Sequence, residues 1–302
     1  MTAAATSAAT AATATSAATA GTATSAASAA MATSAASAAM AIAAGTATRQ
    51  LRVAVAGGRL DVTLDRPQAR NALSLDTLRE LEMVFTRFAA VPDICVVVLT
   101  GAGDRAFAAG GDLKELDAHR SEAQAGALFD TGRAALDAVR RFPAPVVAAL
   151  NGVALGGGAE LSMACDFRLA AAHAGIGFVQ AQLALTTGFG GCADLQAAVG
   201  PRKAMGLMLA AQLLKPAEAE RLGLLDAVAG EGESLDALVD RFVAPILARP
   251  PALTRDLKAM ALAGMDPARR AALSAEERTR FIRAWTSQEH WAAAERMLAR
   301  RS

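Results

Sequence analysis

The residues best suited to chemistry lie in a glycine-rich stretch, residues 151–161 (Asn-Gly-Val-Ala-Leu-Gly-Gly-Gly-Ala-Glu-Leu), in which Glu160 is the one charged side chain. An apolar run typical of a buried strand, residues 145–150, precedes it, and residues 161–165 predict a helix. Unpaired N–H groups and the macrodipole make the start of a helix favourable for negative charge. The stretch therefore suits an anion-stabilising site. A glycine turn followed by a helix with a glutamate at its positive end is the simpler alternative.

A second junction of the same kind lies earlier in the chain. Residues 94–100 are apolar and rich in β-branched side chains, which predicts a buried strand that ends at the turn over residues 101–104. Small residues within 106–114 then lead into a predicted helix. Two strand-turn-helix junctions thus each offer backbone amides. Acyl-thioester chemistry needs two such donors on one oxygen, because negative charge develops there.

Several segments resemble motifs of the crotonase (enoyl-CoA hydratase/isomerase) superfamily, and the resemblance runs from about Arg49 to the C-terminus. The glycine-rich stretch, with Cys165-Asp166 after it, is similar to the third family motif. The other matching segments are Leu64-Asp65-Arg66-Pro67 with Asn71-Ala72-Leu73, residues 106–114, Arg202-Lys203-Ala204-Met205 and Ala219-Glu220-Arg221-Leu222-Gly223-Leu224. On these residues the chain is identified as a member of this superfamily.

Strand pairs that alternate with helices predict the α/β class. The resemblance implies a crotonase-like spiral of ββα units followed by a C-terminal helical region. We expect the ββα core over residues 49–200 and a helical trimerisation and cap region over residues 201–302. Residues 1–48 contain mostly Ala, Thr and Ser and no charged side chain, which predicts a low-complexity, disordered tail.

Local patterns place the helices of this plan. Ser74 is expected to cap a helix whose inward face repeats at three- and four-residue steps through Leu78, Leu81, Phe85 and Phe88. Another helix is predicted over residues 121–142. The C-terminal helices are expected at residues 202–214, 217–222, 235–248, 253–263 and, as one long helix, 275–300. Trp285 and Trp291, on that long helix, are expected to pack in the core or between subunits.

The resemblance also assigns roles to residues of the two junctions. The amides of Gly111 and Gly157 would form an oxyanion hole, and Glu160 would act as the catalytic acid or base. The residues implied to contact the CoA thioester are Ala109, Gly111, Asp112, Leu113, Lys114 and Gly157. Asp112 precedes a predicted helix, and we expect it to cap that helix rather than to do chemistry.

The reaction depends on one position where this sequence departs from the family. Family hydratases use two glutamates to place and split water, and alignment on a glycine pair puts Gln180 at the second position. No carboxylate lies between Asp166 and Asp194. Gln180 is expected in the catalytic site, where an amide orients water or a carbonyl but does not exchange a proton at neutral pH.

Three interpretations follow from that substitution. The first is an enoyl-CoA hydratase or isomerase that uses Glu160 alone as its acid/base. The second is an acyl-CoA decarboxylase similar to the ethylmalonyl/methylmalonyl-CoA branch of the family. The third is an acyl-CoA binder without catalytic activity. The sequence leaves all three open.

The composition argues against other classes of function. A formal net charge of +1 over 302 residues, 53% of them hydrophobic, predicts a large core and no nucleic-acid partner. No apolar stretch suits a membrane span, and the three cysteines and three histidines lack metal-ligand spacing. We expect a cytoplasmic homotrimer or dimer of trimers that binds an acyl-CoA substrate. No metal and no cofactor are expected, since coenzyme A is part of the substrate.

Overall fold

The computed structural model describes residues 48–263 and 267–299, so the predicted tail lies almost wholly outside the described residues. The strands are β1 (Leu51–Ala56), β2 (Arg59–Leu64), β3 (Val96–Gly101), β4 (Ala106–Ala108), β5 (Val146–Leu150), β6 (Val153–Leu155), β7 (Phe167–Ala170), β8 (Gly175–Gly177) and β9 (Ala227–Val228). The helices are α1 (Leu75–Ala89), α2 (Leu113–Leu116), α3 (Glu122–Arg140), α4 (Gly157–Ala164), α5 (Gly191–Val199), α6 (Pro201–Ala210), α7 (Pro216–Leu222), α8 (Leu235–Leu247), α9 (Pro251–Ala263), α10 (Pro267–Trp285) and α11 (Gln288–Ala299). Short 3-10 helices span Pro67–Ala69 and Gln180–Leu183.

Two sheets form the centre of the described part of the chain. The larger has the strand order β1-β2-β3-β5-β7-β9, in which only β1 and β2 pair antiparallel. The smaller sheet consists of the parallel strands β4, β6 and β8. Each strand of the smaller sheet follows a strand of the larger one and leads into helical structure. The predicted α/β spiral of ββα units is therefore confirmed.

The first long helix shows how the apolar pattern builds the core. The Ser74 Oγ accepts a hydrogen bond from the Thr77 N–H at 3.1 Å, which caps α1 as predicted. The four inward positions of the predicted repeat are all fully buried. The Phe85 ring lies edge-on to Phe142, with 5.6 Å between centroids, and so joins α1 to the end of α3.

The long C-terminal helix predicted over residues 275–300 is wrong, because the structure divides it in two. α10 ends at Trp285 and α11 begins at Gln288. The Ser287 Oγ accepts the His290 N–H at 3.2 Å and so caps the second helix. The break folds α11 back, and the Trp291 ring lies edge-on to Trp285 with 5.5 Å between centroids.

Among the described residues, no helix is both long and apolar enough to cross a membrane.

Two buried asparagines fix the turn between β3 and β4. Asn71 donates to the carbonyls of Ala102 and Ala106 at 3.0 and 2.7 Å and accepts the Arg66 N–H at 3.1 Å. Asn151 also donates to the Ala106 carbonyl, at 3.1 Å. Asn71 lies at a φ of 54°, in the left-handed region. These bonds set where the chain enters the segment over residues 106–114.

We expect Asn71→Ala to lower the free energy of unfolding by about 2–5 kcal/mol. The Ala102 carbonyl would lose its donor, at roughly 1–3 kcal/mol, whereas the Ala106 carbonyl keeps the Asn151 donor, and a left-handed alanine costs about 1–2 kcal/mol more. Urea unfolding followed by circular dichroism measures the change. The control is Arg79→Ala, in an exposed ion pair with Asp76, which is expected to cost at most about 0.5 kcal/mol. Equal costs for the two variants would contradict the bracing role.

Candidate active site

The two predicted junctions meet in the structure. Gly110 lies so close to the start of α4 that a methyl group added to it would be 3.9 Å from the Gly157 nitrogen. The Leu73 N–H donates to the Gly110 carbonyl at 2.8 Å, and the Asp112 N–H donates to the Leu73 carbonyl at 3.2 Å. This pairing leaves the Gly111 N–H between them without a protein acceptor in the described residues, and the Gly157 N–H has none there either.

Glycine conformation makes this approach possible. Gly156 has a φ of 54° and Gly110 a φ of 101°, values that side chains rarely adopt. Gly156 turns the chain from β6 into α4, so the first amides of α4 stay free of intrahelical partners. A methyl group on Gly158 would lie 2.1 Å from the Ala108 carbonyl oxygen, so only glycine lets α4 and β4 come this close. Two strand ends therefore present unbonded amides side by side.

A cavity of about 290 Å³ opens beside these amides. Six of the predicted site residues line it: Ala109, Gly111, Leu113, Gly157, Glu160 and Gln180. Much of the remaining lining is apolar, with Leu116, Leu128, Leu185, Phe189, Phe281, Trp285 and Met297. Among the described residues that line the cavity, Glu160 is the one with an ionisable side chain, so the cavity combines a polar end with a largely apolar wall.

Glu160 is held by an unusually complete set of donors. Its Oε1 accepts the Gly188 N–H at 3.0 Å and the Gln180 Nε2 at 2.8 Å. Its Oε2 accepts the N–H groups of Phe189 and Gly191 at 2.8 and 2.9 Å. Burial raises the pKa of Glu160, and the four donors oppose that rise because they stabilise the carboxylate. The side chain is thus a fixed, buried carboxyl group at the cavity.

Gln180 touches Glu160 as the sequence alignment suggests. It begins the 3-10 helix Gln180–Leu183, and its Nε2 occupies one acceptor position on Glu160. Its Oε1 is buried and has no hydrogen-bond partner in the described part of the chain. The amide therefore offers an unused acceptor next to the carboxylate, and a water or hydroxyl group fits that need.

Two predicted thioester contacts lie away from this cavity lining. Asp112 does not cap α2 with its side chain, so the expected cap is wrong. Its carboxylate instead pairs with the Arg66 guanidinium at 2.8 Å. The same guanidinium also donates to the Ala72 carbonyl, which fixes it beside Asp112. Lys114 is exposed on α2. Both residues are chain neighbours of Gly111 and Leu113, which do line the cavity.

Trp285 is buried as predicted, and it also lines the cavity. Its Nε1 donates to the His119 carbonyl at 2.6 Å, which ties α10 to the chain after α2. Its ring lies 5.4 Å from Phe281 between centroids. The C-terminal helices therefore supply part of the cavity wall of the same chain.

One buried carboxylate near Glu160 was not predicted. Glu277, on α10, is 6% exposed and accepts hydrogen bonds from the Thr187 Oγ1 and, at 3.4 Å, from the Cys192 N–H. Burial and the nearby Glu160 raise the pKa of Glu277 to about 7. The sequence held a signal for it, because Glu277 shares the apolar helix face of Phe281 and Trp285 at four-residue steps.

Residues 56–297 match the sequence model of a family described as enoyl-CoA hydratase/isomerase. This chain belongs to the enoyl-CoA hydratase/isomerase family. Its resemblance to the crotonase superfamily is therefore confirmed, and it is an enzyme of the lyase or isomerase type. No group of three or more His, Cys, Asp or Glu side chains in the described ranges is arranged to hold a metal ion.

Named relatives agree with this family. The crotonyl-CoA hydratase of Syntrophomonas wolfei is 37% identical over 202 residues, which cover 67% of this chain and 77% of that protein. The short-chain-enoyl-CoA hydratase of Clostridium acetobutylicum is 38% identical over 176 residues, or 58% of this chain and 67% of that protein. Each comparison spans two thirds or more of the relative.

Solved structures of the family share the fold. An enoyl-CoA hydratase from Bacillus anthracis superposes with a TM-score of 0.68 at 30% identity and covers 83% of this chain and 97% of its own. An enoyl-CoA hydratase/isomerase from Xanthobacter autotrophicus gives a TM-score of 0.77 at 24% identity, over 85% of this chain and 94% of its own. The second match speaks for the fold alone.

Gly157→Ala tests whether the start of α4 must stay where it is. The added methyl would lie 2.8 Å from the Phe189 ring, so either that ring or the Gly157 backbone must shift, and both line the cavity. We expect kcat/KM on crotonyl-CoA to fall by up to about 100-fold, the cost of misplacing a reacting group by about 1 Å. Steady-state assays measure it. Gly206→Ala, exposed on α6 with open space around it, is the control. Unchanged kinetics in both variants would contradict the assignment.

Proposed function

We propose that this enzyme adds water to short-chain enoyl-CoA thioesters, with Glu160 as its one acid/base. The observation that carries the proposal is the placement of the buried Glu160 carboxylate in one cavity with the unbonded amides of Gly111 and Gly157. An enolate needs donors at its oxygen and a proton carrier at its carbon, and this arrangement supplies both.

The two glycine amides receive the thioester oxygen. When a nucleophile attacks the double bond, charge moves onto that oxygen, and preorganised N–H donors stabilise it most in a cavity with few competing dipoles. Ala109 and Leu113 flank this point on the cavity wall. The CoA portion of the bound thioester would extend out of the cavity past Asp112 and Lys114. Of these two, Lys114 is the exposed cation suited to a phosphate, and Asp112 holds its loop through Arg66.

One carboxylate is enough to balance the protons of hydration. The oxygen of water bonds to Cβ while Glu160 takes one of its protons, and the electron pair of the double bond moves through Cα to the thioester oxygen. The enolate then collapses, and Cα takes the proton from Glu160. Glu160 ends as the carboxylate it was at the start, so no second acid is required.

Gln180 takes the place of a second carboxylate by orienting water. Its unused Oε1 would accept the O–H that Glu160 does not remove, while its Nε2 keeps Glu160 in position. An amide performs both tasks without changing charge. This acceptor beside Glu160 favours hydration over isomerisation, which needs no bound water.

The cavity also favours an uncharged, short acyl group. The rings of Phe189, Phe281 and Trp285 line it, and no Lys, Arg or His side chain does so among the described residues. A malonyl-type substrate would bring a second carboxylate next to Glu160 without a cation to offset it. The relatives named for crotonyl-CoA and short-chain enoyl-CoA act on small acyl groups, in agreement with this choice.

We further propose a homotrimer or dimer of trimers in the cytoplasm, with no cofactor beyond the coenzyme A of its substrate. Exposed apolar side chains on α6 and α9 support subunit contact, since Leu209 and Met260 are each 73% exposed. Sedimentation velocity distinguishes these assemblies from a monomer.

Mass spectrometry of the enzyme with crotonyl-CoA and, separately, ethylmalonyl-CoA tests the reaction. We expect the first thioester to gain one water and the second to stay intact. Glu160→Gln keeps the shape but not the proton carrier, and we expect it to lower turnover by at least about 100-fold while crotonyl-CoA binding persists. Loss of carbon dioxide from ethylmalonyl-CoA, or full activity in Glu160→Gln, would contradict the proposal.

A further inference from the structure

A six-residue segment, Thr187–Cys192, separates two buried carboxylates and bonds to both. The N–H groups of Gly188, Phe189 and Gly191 donate to Glu160 on one side. The Thr187 hydroxyl and the Cys192 N–H donate to Glu277 on the other side. We call this segment the divider. Because the Gly191 and Cys192 amides are consecutive at the start of α5, the two carboxylates accept hydrogen bonds at the same helix end.

We propose that Glu277 is a positioning residue for catalysis, which acts through the divider to set how strongly Glu160 holds a proton. Glu277 does not line the cavity and so does not touch substrate. The inference rests on the proposed role of Glu160 as the acid/base.

The charges around Glu277 leave Glu160 as its main electrostatic partner. From α3, Arg133 faces it and acts in the opposite sense, but its Nε is paired with Asp137 at 3.0 Å. From α5 it meets the Cys192 thiol, whose pKa is raised by burial and by Glu277. On α11, the ring of His290 packs against Trp285, which lies about two turns beyond Glu277 on α10.

The charged residues next to Glu277 on α10 form ion pairs with other side chains. Arg278 pairs with Asp130 of α3 at 2.6 Å, and Glu276 pairs with Arg280 at 2.5 Å. The Oε2 of Glu277 has no hydrogen-bond partner within the described residues. When it is ionised, the Glu277 carboxylate therefore has few hydrogen bonds to stabilise its charge, and that charge acts on Glu160 across the divider.

The order of ionisation follows from the donors. Glu160 has four N–H donors on its two oxygens, whereas Glu277 has two donors that share one oxygen. Glu160 therefore ionises first, and Glu277 keeps its proton up to a pH of about 7, where its pKa lies. Above that pH two like charges face each other across the divider, and Glu160 becomes a stronger base.

Glu277→Gln removes this charge and keeps an oxygen that accepts from Thr187 and Cys192. We expect the wild-type kcat/KM on crotonyl-CoA to rise about threefold or more through pH 7, since stronger bases transfer protons faster. Glu277→Gln should lack that step and match the wild type below it. Glu276→Gln, the exposed neighbour with the same charge change, should keep the step. A step that persists in Glu277→Gln would overturn the proposal.

A second measurement is independent of turnover. Carbon-13 NMR of the protein labelled at glutamate Cδ follows the titration of Glu277 directly. We expect Glu160→Gln to lower the pKa of Glu277 from about 7, because the repelling neighbour is removed. An unchanged Glu277 titration would refute the coupling even if Glu160 is catalytic. A shifted titration together with full activity in Glu160→Gln would instead refute the proposed function.

Discussion

The structure depends on the burial of one carboxylate, Glu160, at a place where the backbone can satisfy it. An ionised carboxyl group inside a protein is costly unless hydrogen bonds replace its water. Here three amides of the chain around Gly188 to Gly191 and one side-chain amide supply that replacement. The chain between β8 and α5 must therefore pass close to the first turn of α4. Glu160 in turn fixes Gly188 and Phe189, which form part of the cavity wall. The charge needed for chemistry and the shape of the site are maintained by the same bonds.

The ββα repeat explains why unbonded amides lie next to this carboxylate. The strands β4, β6 and β8 are parallel neighbours, so their C-terminal ends lie at the same edge of the small sheet. A helix or loop follows each strand at that edge. Glycines at positions 110 and 156 let the segments that follow β4 and β6 approach each other. The C-terminal helices then cover the opening with aromatic side chains from α10. The sheet thus places the polar end of the cavity, and the last helices complete its apolar end.

Much of this was predictable from the sequence, because the signals were local. The strands before Gly111 and Gly157, the cap at Ser74 and the helical face of α1 follow from short patterns, and the structure agrees with them. The resemblance to a family added the meeting of the two junctions, which no local pattern contains. Side-chain partners were harder to predict. Asp112 occupies a capping position, yet it pairs with an arginine 46 residues away in the chain.

The C-terminal region shows the limit most clearly. A continuous helical pattern hid the break at Ser287, since the cap there consists of one serine in a sequence that otherwise favours helix. Glu277 lies far along the chain from the Gln180 segment, where the family motif places a second carboxylate. Its contact with the divider arises 85 residues from Cys192 along the chain, and a single sequence does not encode that proximity in any local pattern.

We propose that Glu160 and the two glycine amides together form and hold a thioester enolate. Incubation with saturated butyryl-CoA in D2O tests this most directly, because exchange at Cα requires only proton removal and return. Mass spectrometry should show deuterium entering the acyl group, at a rate at least about 100-fold lower in Glu160→Gln. Absence of exchange in the wild type, or equal exchange in the variant, would contradict the claim.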